Sequence, residues 1–123
     1  MQSKPTPTVK NENAHIAYLC NFNYIKFVNI INNYFNRYEI TCNESFNDEF
    51  ENGDLQNNLA KDIAHELFNF KGGWDDLLFA HMNLNILCNE IAHIFIVQFA
   101  YNRDYIKGRE YNEYMNWIIQ RWI

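Results

Sequence analysis

The chain has 123 residues, 48% of them apolar and 17% aromatic, with a formal net charge of −5 and an isoelectric point near 5.2. That length fits one domain with a real core, and such an aromatic content excludes a disordered chain. The acidity disfavours nucleic acid and anionic membranes as direct partners, and four Gly with two Pro leave little material for a turn-rich β architecture.

Residues 1–10, with Pro5 and Pro7 among Ser and Thr, read as a mobile tail ahead of a single helical domain over 11–123. From Glu12 to Phe35 the pattern is helical: Tyr24, Phe27, Val28, Ile31, Tyr34 and Phe35 recur every three or four residues on one stripe. Arg37 to Gly53 breaks that rhythm and reads as an acidic loop, with at most one short strand pair near 38–42. A second helix is expected to open at Asp54 as N-cap, carry Leu55, Leu59, Ile63 and Leu67 inward, and stop at Gly72-Gly73. Trp74 and Asp75 then suggest a staple, with Trp74 packing on Phe79, and a cap for a third helix over about 75–101.

Between Leu77 and Ala100 the only acidic or basic side chain, His aside, is Glu90. A helix apolar on nearly every face belongs to a core or to a membrane. Asn83, Asn85, Asn89, Glu90 and Gln98 make a membrane span too costly, so this is expected to be the buried central helix, with Leu84, Leu87, Ile91, Ile94 and Phe95 in the core. Arg103, Lys107, Gly108 and Arg109 form a basic turn whose charges are expected to pair locally with Asp104 and Glu110. The last helix carries Tyr111, Tyr114, Met115, Ile118, Ile119 and Trp122 on one face. These elements describe an all-α compact bundle of about four to five helices.

No catalytic motif emerges. A carboxylate stands three residues before a histidine at Glu12…His15, Asp62…His65 and Glu90…His93, and this spacing places both side chains on one helix face. Di-iron carboxylate bundles pair Glu-x-x-His helices in this way, so Asp62, His65, Glu90 and His93 resemble a metal-ligand set, with Asp in place of one Glu and no evident inward Glu on the other helices. The plainer alternative is a hydrogen-bonded Glu90–His93 pair in the core. His65-Glu66 begins a zincin-like string, but Asn69 stands where the second ligand belongs. Cys20, Cys42 and Cys88 are odd in number and widely spaced, which suggests neither disulfides nor zinc but buried or idle thiols in a reducing cytosol. The expectation is no enzymatic activity and no cofactor.

The informative feature is charge. Between Arg37 and Lys61 lie six acids, Glu39, Glu44, Asp48, Glu49, Glu51 and Asp54, and no basic residue, so the rest of the chain is close to neutral. Phe46 and Phe50 interleave with them, which is how an interface anchor with a charged rim is built. The residues expected to bind a partner are therefore Glu39, Glu44, Phe46, Asp48, Glu49, Phe50, Glu51 and Asp54, and the partner is expected to be a basic protein. Small, acidic, aromatic-rich and helical, with the heavy Asn usage of an AT-rich gene, the chain is similar in type to bacterial toxin-immunity proteins, including those of contact-dependent-inhibition and colicin systems, and to phage anti-CRISPR inhibitors. The likeness rests on no specific motif. It implies a cytoplasmic inhibitor, monomeric or weakly dimeric, that blocks a nuclease toxin or another nucleic-acid-processing enzyme. The rival readings are a di-metal bundle on the four residues above and a helical adaptor or regulatory subunit that self-associates.

Overall fold

A computed structural model describes residues 9–121, with side chains for 23–118 and 120. It is all-α, and no strand occurs among the described residues. The helices are α1 (Val9–Arg37), α2 (Asn43–Asn52), α3 (Asp54–Phe68), α4 (Met82–Asn102) and α5 (Gly108–Arg121), with a π-helical turn at Asp76–Ala80 before α4. Residues 1–8 of the expected tail, and Trp122 of the expected last face, lie outside the described residues.

α4 is the centre. It packs most extensively on α3 and also on α1, α5 and the π-helical turn. Contacts at both ends set α3 antiparallel to α4: the Gln56 amide donates to Asn89 Oδ1 at 3.3 Å, and Phe70 meets His81 at 5.3 Å. α5 returns antiparallel along α4, with Tyr111 stacked on Tyr101 and Trp117 tilted against His93. α1 crosses α4 through Phe27 on Phe95 at 5.3 Å and Phe35 on Phe99 at 4.6 Å.

By length and composition α4 is the one helix among the described residues apolar enough to cross a bilayer, yet 67% of its most apolar window is covered by the rest of the fold. The stripes read from the sequence line this core. Phe27, Ile31, Tyr34, Phe35, Leu55, Leu59, Ile63, Ile91, Ile94 and Phe95 are buried, while Tyr24, Val28, Leu67, Leu84 and Leu87 are half-buried against it.

Four local expectations are corrected. The expected acidic loop is the helix α2, entered by a reciprocal cap in which the Ser45 hydroxyl accepts from the Cys42 amide at 3.1 Å. The stretch 38–42 is a turn, not a strand pair, with Ile40 tucked into the core. Asp54 is the first residue of α3 instead of its cap; Gly53, at φ +90°, forms the joint between α2 and α3. α3 ends at Phe68, before Gly72-Gly73, on Asn69 in the left-handed conformation.

The expected third helix is also broken. His81 leaves helical geometry (φ −131°, ψ 56°) between the π-helical turn and α4, and Asp75 makes no side-chain cap. Phe79 is 76% exposed, so Trp74 packs on the core without it. Of the basic turn, Arg103 donates to Asn32 and covers the Phe99 ring, and Arg109 pairs with Glu113; neither uses Asp104 or Glu110.

Candidate functional site

α2 is short and polar, and its two faces divide the expected site. At 3.6 residues per turn Phe46 and Phe50 share one side, while Glu44, Asp48 and Glu51 share another. Phe46 is 0% exposed, stacked on Phe35 at 6.1 Å and on Phe50 at 5.2 Å. It is therefore a core residue that fastens α2 down, not a partner anchor. Asn43 donating to the Tyr105 carbonyl at 2.8 Å and Tyr114 donating to Asn47 at 3.0 Å hold the same helix.

The acids stay outside. Glu39, Glu44, Asp48, Glu51 and Asp54 are exposed and Glu49 is half-exposed. Glu44 and Asp54 lie in the first turns of α2 and α3, where the helix dipole favours negative charge. Among the described residues none of the six makes an ion pair, and α2 has no basic residue in its last turn.

Phe50 behaves differently from Phe46. It is half-buried, edge-on to Tyr114 at 5.0 Å and tilted on His93 at 5.0 Å, and it forms one wall of an open groove of about 400 Å³. The other walls are Gln56, His93, Glu113, Tyr114 and Trp117. Trp117 is 50% exposed and lies on His93 at 5.2 Å. His93 Nε2 is 3.1 Å from the Tyr114 carbonyl oxygen. A carbonyl only accepts, so this nitrogen carries the proton and the ring is fixed in orientation.

Burial pushes the Tyr114 hydroxyl above its ordinary pKa, and the carboxylates of Glu110, Glu113 and Glu51 push it the same way. Of these three, Glu113 lines the aromatic groove, while Glu110 accepts from the Asn43 amide at the start of α2. A second concavity continues from Gln56 and Trp117 along Asn85, Ile86 and Asn89 of α4. Beyond it Met82 and Phe79 are also exposed.

Sequence reasoning missed Gln56, Glu113, Tyr114 and Trp117 as groove residues, and it named His93 only as half of a core pair with Glu90 or, in a rival reading, as a metal ligand. Trp117 lies off the apolar stripe of its helix, but a single exposed aromatic is ordinary on a protein surface, so the sequence carried no clear signal for the groove.

The candidate metal residues are not brought together. Tyr34 donates its hydroxyl to Asp62 on α3. His65 meets Phe70, which in turn meets His81, at the start of α4. His93 lies twelve residues further along α4, about 18 Å at 1.5 Å per residue. No group of three or more His, Cys, Asp or Glu among the described residues is placed to hold a metal ion. Of the thiols, Cys88 is buried and pushed up to about 12 by that burial. Cys42 is exposed, and hydrogen bonds from Ser45 and the Glu44 amide hold it below the usual thiol range. The Cys20 side chain lies outside the described residues.

Comparison with protein-family models, with curated proteins and with solved structures finds no match for this chain.

Proposed function

We propose that the chain is a non-enzymatic inhibitor that binds and neutralises a basic protein, in the manner of an immunity protein acting on a nuclease toxin of the contact-dependent-inhibition or colicin type, or on another nucleic-acid-processing enzyme. Its place of action in this reading is the cytoplasm of a bacterium or of a phage-infected cell. The observation that carries the reading is the convergence of two features on one side of the fold. The exposed carboxylates of α2, unpaired by any basic residue among those described, lead into a groove walled by Phe50, Tyr114 and Trp117. Carboxylates steer a cationic surface and set the association rate; aromatic rings in a concave site supply short-range contact and set the dissociation rate.

The test is the protein encoded beside this chain's gene. Mixed with it, the native chain is expected to suppress nucleic-acid cleavage and to associate more slowly as salt rises. A variant neutralised at Glu44, Asp48, Glu49, Glu51 and Asp54, shown by circular dichroism to be folded, is expected to bind more weakly. Unchanged affinity and unchanged salt dependence in that variant would overturn the reading.

One observation favours the self-associating adaptor instead. Phe79 in the π-helical turn and Met82 and Ile86 in the first turns of α4 are large, exposed and close in sequence. Sedimentation of the native chain against Met82→Asp separates the two: a dimer lost in the variant supports self-association.

A further inference from the structure

We infer that the groove between Phe50, Tyr114 and Trp117 receives an arginine side chain of the basic partner, its guanidinium lying on the aromatic walls and reaching the Glu113 carboxylate. This deepens the proposed function and rests on it. The groove is walled by four rings, Phe50, His93, Tyr114 and Trp117, and its one carboxylate is Glu113. Aromatic faces carry negative potential and attract a cation above them, most strongly for Trp, and Trp117 is half exposed. Glu113 lines the groove itself, and its carboxylate, with those of Glu110 and Glu51, adds to burial in raising the Tyr114 hydroxyl above its ordinary pKa.

The Glu113 carboxylate disfavours an anion there, and a neutral apolar side chain makes no use of it. The flat guanidinium suits stacked rings better than an ammonium, which is a compact and strongly hydrated charge. The chain's own Arg109 reports on the carboxylate: its Nε lies 3.7 Å from Glu113 Oε2 in an exposed pair one helical turn away. Exposed pairs of this kind are weak and exchange readily, so a partner's guanidinium can share or replace Arg109.

The experiment uses the isotope-labelled full chain titrated with a capped Gly-Arg-Gly peptide, followed by nuclear magnetic resonance. Saturable shifts are expected at the Trp117 indole and at Phe50, Glu113 and Tyr114. The neutral isostere Gly-citrulline-Gly is expected to bind about tenfold more weakly or not at all, since it keeps the planar shape but loses the charge and the donors of one nitrogen. Trp117→Ala removes an exposed ring and is expected to abolish the shifts at Phe50; Glu113→Gln, which keeps the side-chain shape, is expected to weaken binding severalfold; Arg109→Gln is expected to strengthen it. Equal binding of the citrulline or a Gly-Lys-Gly peptide, or no saturable shift in the groove, would overturn the inference. With the cognate partner in hand, binding that depends on the α2 carboxylates but is unchanged in Trp117→Ala and Glu113→Gln would remove the arginine site and leave the proposed function standing.

Discussion

Replacing Phe46 by Ala separates a core residue from a surface anchor more sharply than any other change in α2. The ring is fully buried, stacked on Phe35 and Phe50 and edge-on to Tyr114 at 6.3 Å. Burying a Phe side chain is worth about 1.5–3 kcal/mol by transfer alone. The unfilled cavity raises the cost of truncation to about 3–5 kcal/mol. The hydrogen bonds of Asn43 and Asn47 to Tyr105 and Tyr114 contribute about 1 kcal/mol each. Phe46 therefore outweighs the two together in holding α2, against a typical domain stability of about 5–15 kcal/mol.

Urea denaturation followed by circular dichroism is expected to show a loss of about 3–5 kcal/mol. Hydrogen exchange is expected to show α2 amides losing protection while those of α4 keep theirs relative to global stability, because a short helix released from its anchor opens locally first. Phe46→Leu, which refills part of the space, is expected to cost about 1–2 kcal/mol. A loss below about 0.5 kcal/mol in Phe46→Ala, with α2 amides protected as before, is the scale of a surface change and would refute the placement.

Within α4, Ile96→Ala is expected to cost about 2–5 kcal/mol in the same denaturation assay, and half-buried Leu87→Ala about 1 kcal/mol; equal costs would contradict the burial pattern. Gly53→Ala forces a side chain into φ +90° at the joint between α2 and α3 and is expected to lower stability by about 1 kcal/mol, an unchanged urea midpoint being the refuting result. Alkaline stability follows from Cys88, whose thiol is raised from 9.0 to about 12 by burial, and from Tyr34, raised by burial and by its bond to Asp62. Between pH 9 and 12 the unfolded chain releases a thiol proton that the folded chain retains, so this contribution is complete below pH 9 and is lost as pH rises toward 12. Urea stability measured across that range is expected to fall, less steeply in Cys88→Ala; a flat profile would contradict the burial of these groups.

How much of this was legible beforehand depended on the source of each element's stability. α3 and the body of α4 carry long apolar patterns, and pattern alone placed Leu55, Leu59, Ile63, Ile91 and Phe95 inside. α2 carries no such pattern. Its ten residues are polar apart from Phe46 and Phe50, and a helix that short is not stable by itself; it forms because those two rings pack on helices distant in sequence. The break at His81 was hidden for the opposite reason: Leu77-Leu78-Phe79-Ala80 continues the apolar run, with no Gly or Pro to mark where the chain leaves helical geometry. The metal reading failed on direction: α3 and α4 run antiparallel, which sends His65 and His93 toward opposite ends.

The groove was beyond sequence reasoning because its walls come from α2, α3, α4 and α5, and only packing brings Phe50, Gln56, His93 and Trp117 together. That origin separates the acids from the aromatic residues in space as well as in chemistry. The carboxylates of Glu44, Asp48 and Glu51 stand in solvent, where screening confines their reach to about 8 Å at physiological ionic strength. They can draw a cationic surface in and orient it, but exposed pairs formed with it contribute at most about 1 kcal/mol each. Residence has to come from side chains that lose water on contact, and around α2 those are Phe50, Tyr114 and Trp117, beside the Glu113 carboxylate. In the proposed complex α2 therefore fixes the geometry of binding: Phe46 docks the helix, its outer carboxylates meet the partner first, and Phe50 leads the contact into the groove.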